Sequence, residues 1–263
     1  MSGYSRHSIT LATVSVLALL SAMPLPSAAA DMVPAGIAAA VSDAGRPEAD
    51  RVRDENRKPG ETVAFSGMKA GDKVADLLPG GGYFTRIFAK TVGAKGHVYA
   101  IVSEEILKKR ATAADGVNAI AADKAYGNVS VMAQQLSNIN APEPLDIVWT
   151  SLNYHDLKNA AFGPADTAAM DKSIFNALKP GGVFIVVDHA AAAGSGTRDT
   201  ETLHRIDPAV VKAEVTAAGF VFEGESNVLK RPEDDHTVRV VEGSIRGKTD
   251  QFIYKFRKPA VKK

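Results

Sequence analysis

Val74-Ala75-Asp76-Leu77-Leu78-Pro79-Gly80-Gly81-Gly82-Tyr83-Phe84-Thr85-Arg86-Ile87-Phe88 reads in order as strand, turn and helix. An apolar run closes on Asp76 and two leucines, Pro79 and three glycines turn the chain, and Phe84, Ile87, Phe88 and Val92 then recur at helical spacing. In an open α/β sheet such a turn lies at the carboxyl end of the first strand, beside the free N–H groups of the next helix, where ligands bind. Glycine supplies backbone angles that other residues resist, and its missing side chain lets a ligand reach the main chain. A purely structural turn would use the same residues.

Spacing separates the ligands such a turn can hold. A phosphate-binding P-loop needs a Gly-Lys-Ser/Thr ending, which is absent. A dinucleotide fingerprint needs a third glycine, and Thr85 occupies that position. What remains resembles the first motif of class I S-adenosylmethionine-dependent methyltransferases, with Asp76, Gly80 and Gly82 in matching positions and Leu78 where the motif has its first glycine.

Outward from this stretch, residues 97–102 form a second apolar strand, and residues 128–132 a third. Pro142-Glu143-Pro144 breaks the chain before a fourth strand at residues 145–151. Leu178-Lys179-Pro180-Gly181-Gly182 leads into a fifth ending at Asp188, a feature frequent in the methyltransferase fold. Residues 219–226 and 251–256 supply the last two strands; alternation of Phe252, Tyr254 and Phe256 predicts a half-buried one. Residues 229–248, rich in charge, are expected as an excursion between antiparallel partners. Residues 190–197, with Gly194 and Gly196, have the composition of a mobile lid.

With Asn153-Tyr154-His155-Asp156, Asp188-His189, His204-Arg205-Ile206-Asp207 and residues 246–251, the chain is similar to a group of exported bacterial methyltransferases. The resemblance covers residues 70–256. It implies a Rossmann-like α/β fold, a seven-stranded mixed sheet in the order 3-2-1-4-5-7-6 with helices on both faces. It implies S-adenosyl-L-methionine as cofactor, held by Asp76, Gly80, Gly81, Gly82, Tyr83, Phe84, Ser103, Glu104, Gln135 and Ser151. Glu104 stands in for the acidic residue that the family places at the end of its second strand, or only favours a helix start. Arg53, Asp54 and Arg57 of the charged segment before the core are second-rank site candidates by the same resemblance. His155 is the first choice of general base, with Tyr154, His189 and His204 beside it. No metal is assigned.

The 263 residues, 45% hydrophobic and 23% charged, suit one globular domain. Residues 1–30 carry Arg6, an apolar run over residues 9–20, a Pro24/Pro26 break and Ala28-Ala29-Ala30, the pattern of a secretory signal peptide cleaved after Ala30. Residues 31–263 would then form one domain, a helical lead over 31–69 and a core over 70–263, in the periplasm or medium and with no stable membrane anchor. The chain has no cysteine, which excludes disulfides, thiolate ligands and a cysteine nucleophile. A formal net charge of +1 gives no footprint for nucleic acid. The expected activity is methyl transfer to a small or envelope-associated acceptor. Two other readings stay open: a non-catalytic binding module on the same fold, and a metal hydrolase built from His155, Asp188, His189 and His204.

Overall fold

The first glycine turn follows β1 (Lys73–Leu77), an inner strand of a seven-stranded sheet. The computed structural model describes residues 33–160 and 164–260 together with Met1 and Gly3, so the expected export segment and its Ala30 site lie outside the described residues. The described residues from Val33 onward belong to one compact unit. In chain order the other strands are β2 (His97–Ser103), β3 (Val129–Gln134), β4 (Leu145–Ser151), β5 (Leu178–His189), β6 (Val221–Ser226) and β7 (Gln251–Arg257). They lie in the order β3-β2-β1-β4-β5-β7-β6, as expected, with β7 antiparallel to both neighbours.

Four short helices precede the sheet: α1 (Ala35–Val41), α2 (Glu48–Arg51), α3 (Asp54–Arg57) and α4 (Pro59–Ser66). Between strands lie α5 (Tyr83–Val92), α6 (Glu104–Lys109), α7 (Asp115–Ala122), α8 (Thr167–Ala177), α9 (Thr200–Leu203) and α10 (Pro208–Ala217). The parallel strands are covered on both sides, so alternate residues feed two separate cores. Val74, Val98, Ile147, Trp149 and Ile185 pack with α1, α5 and α7 on one face. Ala75, Ile101, Val148 and Phe184 pack with α8 and α10 on the other. Phe84 and Phe88 of α5 meet Trp149 with ring centroids 5.0 and 5.1 Å apart. No helix among the described residues is long and apolar enough to cross a membrane.

Two sequence expectations change. Strand β7 is not half-buried: it lies between β5 and β6, and Gln251 through Tyr254 are all buried. Phe252, Tyr254 and Phe256 enter one core while Ile253 enters the other, and the strand with alternating exposure is the edge strand β6. Alternation of large residues therefore recorded which core each side chain fills, not which side meets water. The segment 190–197 is tied down, because Asp207 accepts the N–H groups of Gly194 (2.7 Å) and Gly196 (3.4 Å), and Ala191 N–H donates to Ile206. The excursion after β6 is pinned as well. Arg205, fully buried, holds Asp234 through two hydrogen bonds of 2.8 and 3.0 Å and donates to the Val238 carbonyl.

Candidate active site

The glycine turn sits between the ends of β2 and β4, where the strand order reverses. Leu78, at the position of the motif's missing glycine, still takes the left-handed conformation, φ 57°. The three glycines serve different ends. At Gly82, φ 79°, the backbone favours glycine, and a Cβ would stand 2.2 Å from the end of the Ile120 side chain of α7, which would have to shift. Gly80 and Gly81 have no heavy atom within 4 Å of where a Cβ would stand, leaving their main chain open to a ligand. Arg86 fixes the turn from beneath, donating to the carbonyls of Gly81 (3.0 Å) and Gly82 (3.3 Å) and pairing with Asp50 at 3.1 Å.

Asp76 is buried and accepts a 2.6 Å hydrogen bond from the Thr85 hydroxyl. Burial pushes its carboxyl up to about 7 against the opposing pull of Thr85 and the Arg57 charge. Thr85, in place of a fingerprint glycine, thus clamps β1 to α5. Tyr83 donates to Asp54 at 2.6 Å, and Asp54 receives a bidentate pair from buried Arg46 at 2.7 Å each. Phe84 is a core residue against Trp149. Tyr83, Phe84 and Asp54 therefore join the helical lead to the sheet and are not turned toward an open ligand space.

At the ends of β2 and β3 lies a cavity of about 230 Å³ bordered by Ser103, Glu105, Ile106, Leu136 and Ser137. Ser103 caps α6, accepting the N–H groups of Glu105 and Ile106, and its hydroxyl donates to the Glu105 carboxylate at 2.5 Å. Two acidic residues border this cavity, Glu105 at the start of α6 and Asp166 before α8; Glu104, half-buried in the first turn of α6, does not. Gln135 is exposed, and its successors Leu136 and Ser137 take the cavity wall. Ser151 is half-buried, and its carbonyl accepts the Asn153 amide at 2.8 Å.

The three histidines converge. The His155 ring lies 5.7 Å from that of His189 and 5.5 Å from that of His204, between centroids. Asp188, with no exposure, accepts from the His155 main chain (2.8 Å), the His155 Nδ1 (2.7 Å) and the His189 main chain (2.8 Å). His155 Nε2 meets Asp156 Oδ1 at 3.2 Å, so carboxylates face both ring nitrogens. Burial would lower this imidazole, but the Asp188 charge and the bonds to Asp156 and Asp188 outweigh it and push His155 up to about 10. Held as an imidazolium, it has no lone pair for a proton at neutral pH, which corrects its expected role as general base.

His204 Nδ1 lies 3.0 Å from the same Asp156 oxygen, and Arg239 donates to its Nε2 at 2.9 Å. Because a guanidinium only donates, the His204 proton sits on Nδ1 and points at Asp156. His155, Asp156 and His204 have ligand atoms within 4.8 Å of one another, the geometry of a metal cluster, but these atoms are already engaged with one another and with Arg239. Tyr154 turns to the opposite core, its hydroxyl held by Asp171 (2.9 Å) and Glu214 (2.8 Å), and so does not assist His155. His189 differs from its neighbours. Burial drives it down to about 3, leaving a neutral ring whose Nδ1 meets Thr249 Oγ1 at 2.7 Å. It borders a second cavity, of about 400 Å³, with Arg53, Arg57, Leu152, Arg246 and Gln251.

An open sheet in this order, with β7 reversed and a glycine turn after β1, defines the class I S-adenosylmethionine-dependent methyltransferase fold. Solved structures share it: a SAM dependent methyltransferase from Aquifex aeolicus, at TM-score 0.52 and 18% identity, covers 80% of this chain and 93% of its own. The [4+2]-cyclase SpnF, at TM-score 0.54 and 15% identity, covers 83% and 85%. Among curated proteins, the ubiquinone/menaquinone biosynthesis C-methyltransferase UbiE of Psychromonas ingrahamii is 30% identical over 131 residues, 48% of this chain and 46% of the relative. Its counterpart in Pseudomonas paraeruginosa is 28% identical over 138 residues, 51% and 48%. The chain thus spans about half the length of the curated relatives it matches. No family model matches it.

Proposed function

We propose that this protein transfers a methyl group from S-adenosylmethionine to a small or envelope-associated acceptor. The observation that carries the reading is the exposed Gly80 and Gly81 at the switch point of the sheet, with a cavity of about 230 Å³ at the end of the neighbouring strand β2 that Ser103 and Glu105 border. These residues fit the cofactor: Gly80 and Gly81 admit it to the backbone, and Glu105, oriented by the Ser103 hydroxyl, offers a carboxylate to ribose hydroxyls. When bound, the sulfonium supplies an activated methyl group and departs as a neutral thioether. The chain's own part is alignment. Neutral His189, its Nδ1 engaged by Thr249, offers its remaining ring nitrogen to the acceptor, while the imidazolium of His155 holds the ends of β4 and β5 together through Asp188. Similarity over half a chain to named C-methyltransferases supports the reaction class. Export and cleavage after Ala30 belong to the same reading, on the strength of Arg6 and the apolar run.

Calorimetry with S-adenosylhomocysteine tests the core of the proposal. The wild-type chain should bind, and Gly80→Val, which fills the open approach, should lose at least tenfold in affinity. An absence of wild-type binding would favour a second reading, a binding module for another ligand. The engaged state of His155 is consistent with that reading, and the cyclase sharing this fold shows that the fold does not dictate one chemistry.

A further inference from the structure

We infer that the cavity between α3 and the rim of β4, β5 and β7 is the acceptor site, and that it selects an amphipathic carboxylate whose anionic group is received by Arg57. This rests on the methyl-transfer reading and adds the chemical class of the acceptor.

The charge inventory of the cavity is one-sided. Three arginines and neutral His189 border it, and no acidic side chain does. Arg53 is occupied, donating to Asp50 at 2.5 Å and to the Ala49 carbonyl at 3.2 Å. Arg57 is not: among the described residues its guanidinium stacks 4.3 Å above the Tyr83 ring and 5.2 Å from Phe84, and it bonds no carboxylate. Ring faces orient a guanidinium and leave its planar edge free for a two-pronged bond to a carboxylate. Arg246, exposed on the far side of the mouth, adds a second cation.

The rest of the lining is apolar. Val240 is buried, and Val52 and Val241 are 64% and 49% exposed. These last are two of the four large apolar side chains left exposed among the described residues, and both stand at this one cavity. A ligand with an apolar body covers them while its head reaches Arg57. Leu152, on the inner wall, holds a left-handed backbone at φ 61°, a strain of about 1–3 kcal/mol that accumulates at ligand-facing turns. A cavity of about 400 Å³ suits a small molecule and not a macromolecular chain. It draws on the ends of β4, β5 and β7, whereas the Ser103 cavity lies between the ends of β2 and β3 and the segment that joins β4 to α8. The two cavities share no lining residue, so two ligands can be held at once.

A carboxylate at Arg57 has two possible sources, the acceptor and the amino-acid end of the cofactor, and the experiment separates them. The full chain is titrated by calorimetry with octanoate and with 1-octanol, as wild type, Arg57→Gln, Arg57→Lys and Arg246→Gln. Octanoate should bind wild type at least tenfold tighter than 1-octanol. Arg57→Gln should erase that preference, Arg57→Lys should keep part of it, and Arg246→Gln, a surface change that leaves the fold intact, should weaken octanoate about threefold. Octanoate bound no better than 1-octanol, or bound equally by Arg57→Gln, overturns the inference. Each variant is also titrated with S-adenosylhomocysteine and with 5′-methylthioadenosine, which lacks the amino-acid end. If Arg57→Gln weakens only the former and leaves octanoate unchanged, Arg57 serves the cofactor and the inference is overturned. Tight S-adenosylhomocysteine binding without octanoate selection removes this inference alone. Octanoate selection without S-adenosylhomocysteine binding keeps the anion site and removes the methyl-transfer reading beneath it.

Discussion

The two halves of the sheet's carboxyl rim are built from different materials. On the β1–β2–β3 side the available surface is main chain at Gly80 and Gly81 and a small cavity with a serine and a glutamate. On the β4–β5–β7 side it is side chains, and most of the charged ones neutralise one another: Asp188 with His155, Asp156 with His155 and His204, Arg205 with Asp234. The first half is open because glycine withholds atoms. The second is ordered because buried charges demand partners. What is left unpaired in such a network, Arg57 above all, is more informative than what is paired.

That contrast predicts where the molecule is most fragile. Asp188→Ala strands the His155 ring and two main-chain N–H groups in a buried place, and should cost about 3–5 kcal/mol in urea unfolding. The same variant carries a pH signature. His155 is raised from its ordinary 6.5 to about 10 in the folded state, so its stabilisation is fully present below 6.5 and is lost as pH rises through 10. Wild type should therefore lose stability across that window, and Asp188→Ala should lose much less. Parallel slopes for the two proteins would show that Asp188 does not set the His155 charge.

The backbone-built half was the legible one. Strand, glycine turn and helix over Val74–Phe88, and the Leu-Lys-Pro-Gly-Gly entry to β5, can be read from spacing, since φ requirements and periodicity act locally; the sheet order came with the family resemblance. Side-chain direction around the histidines was not legible. Tyr154 and His155 are neighbours in one short turn, yet one enters the α8–α10 core and the other the charged rim. Gln135 and Leu136 differ in the same way at the other cavity. Arg57 was visible as a charge, but its lack of a carboxylate partner depends on where Asp50 and Asp54 spend theirs, on Arg53, Arg86 and Arg46.

A smaller effect sharpens the division within the glycine turn itself. Gly82→Ala combines a left-handed φ of 79° with a Cβ that displaces buried Ile120, and should destabilise by about 2–4 kcal/mol. Gly80→Ala meets the backbone term alone, about 1–2 kcal/mol. Affinity for S-adenosylhomocysteine should rank them oppositely, because only the Gly80 side chain would stand in open approach space. Thermal melts and calorimetry on both variants check this. A greater loss of affinity in Gly82→Ala, with its fold intact, would move the ligand contact from Gly80 to Gly82.

The smallest expected effect lies at His204, where backbone and side chain oppose each other. Its ring, about a quarter exposed, bonds Asp156 and receives Arg239, while its backbone sits at φ 54°, a conformation that a non-glycine residue resists. His204→Ala keeps the unfavourable φ and loses the bonds, which should cost about 1–2 kcal/mol at this partly wet site. His204→Gly loses the same bonds but relieves the backbone, and glycine's greater freedom in the unfolded chain takes back part of that relief, about 0.5–1 kcal/mol. The glycine variant should therefore lie within about 1 kcal/mol of wild type and above the alanine variant in urea unfolding. The order matters more than the size. If both variants fall equally and by more than Gly82→Ala, the ring is carrying the rim through Asp156 and His155, and the division between a backbone-built half and a charge-built half extends out to the His204 turn.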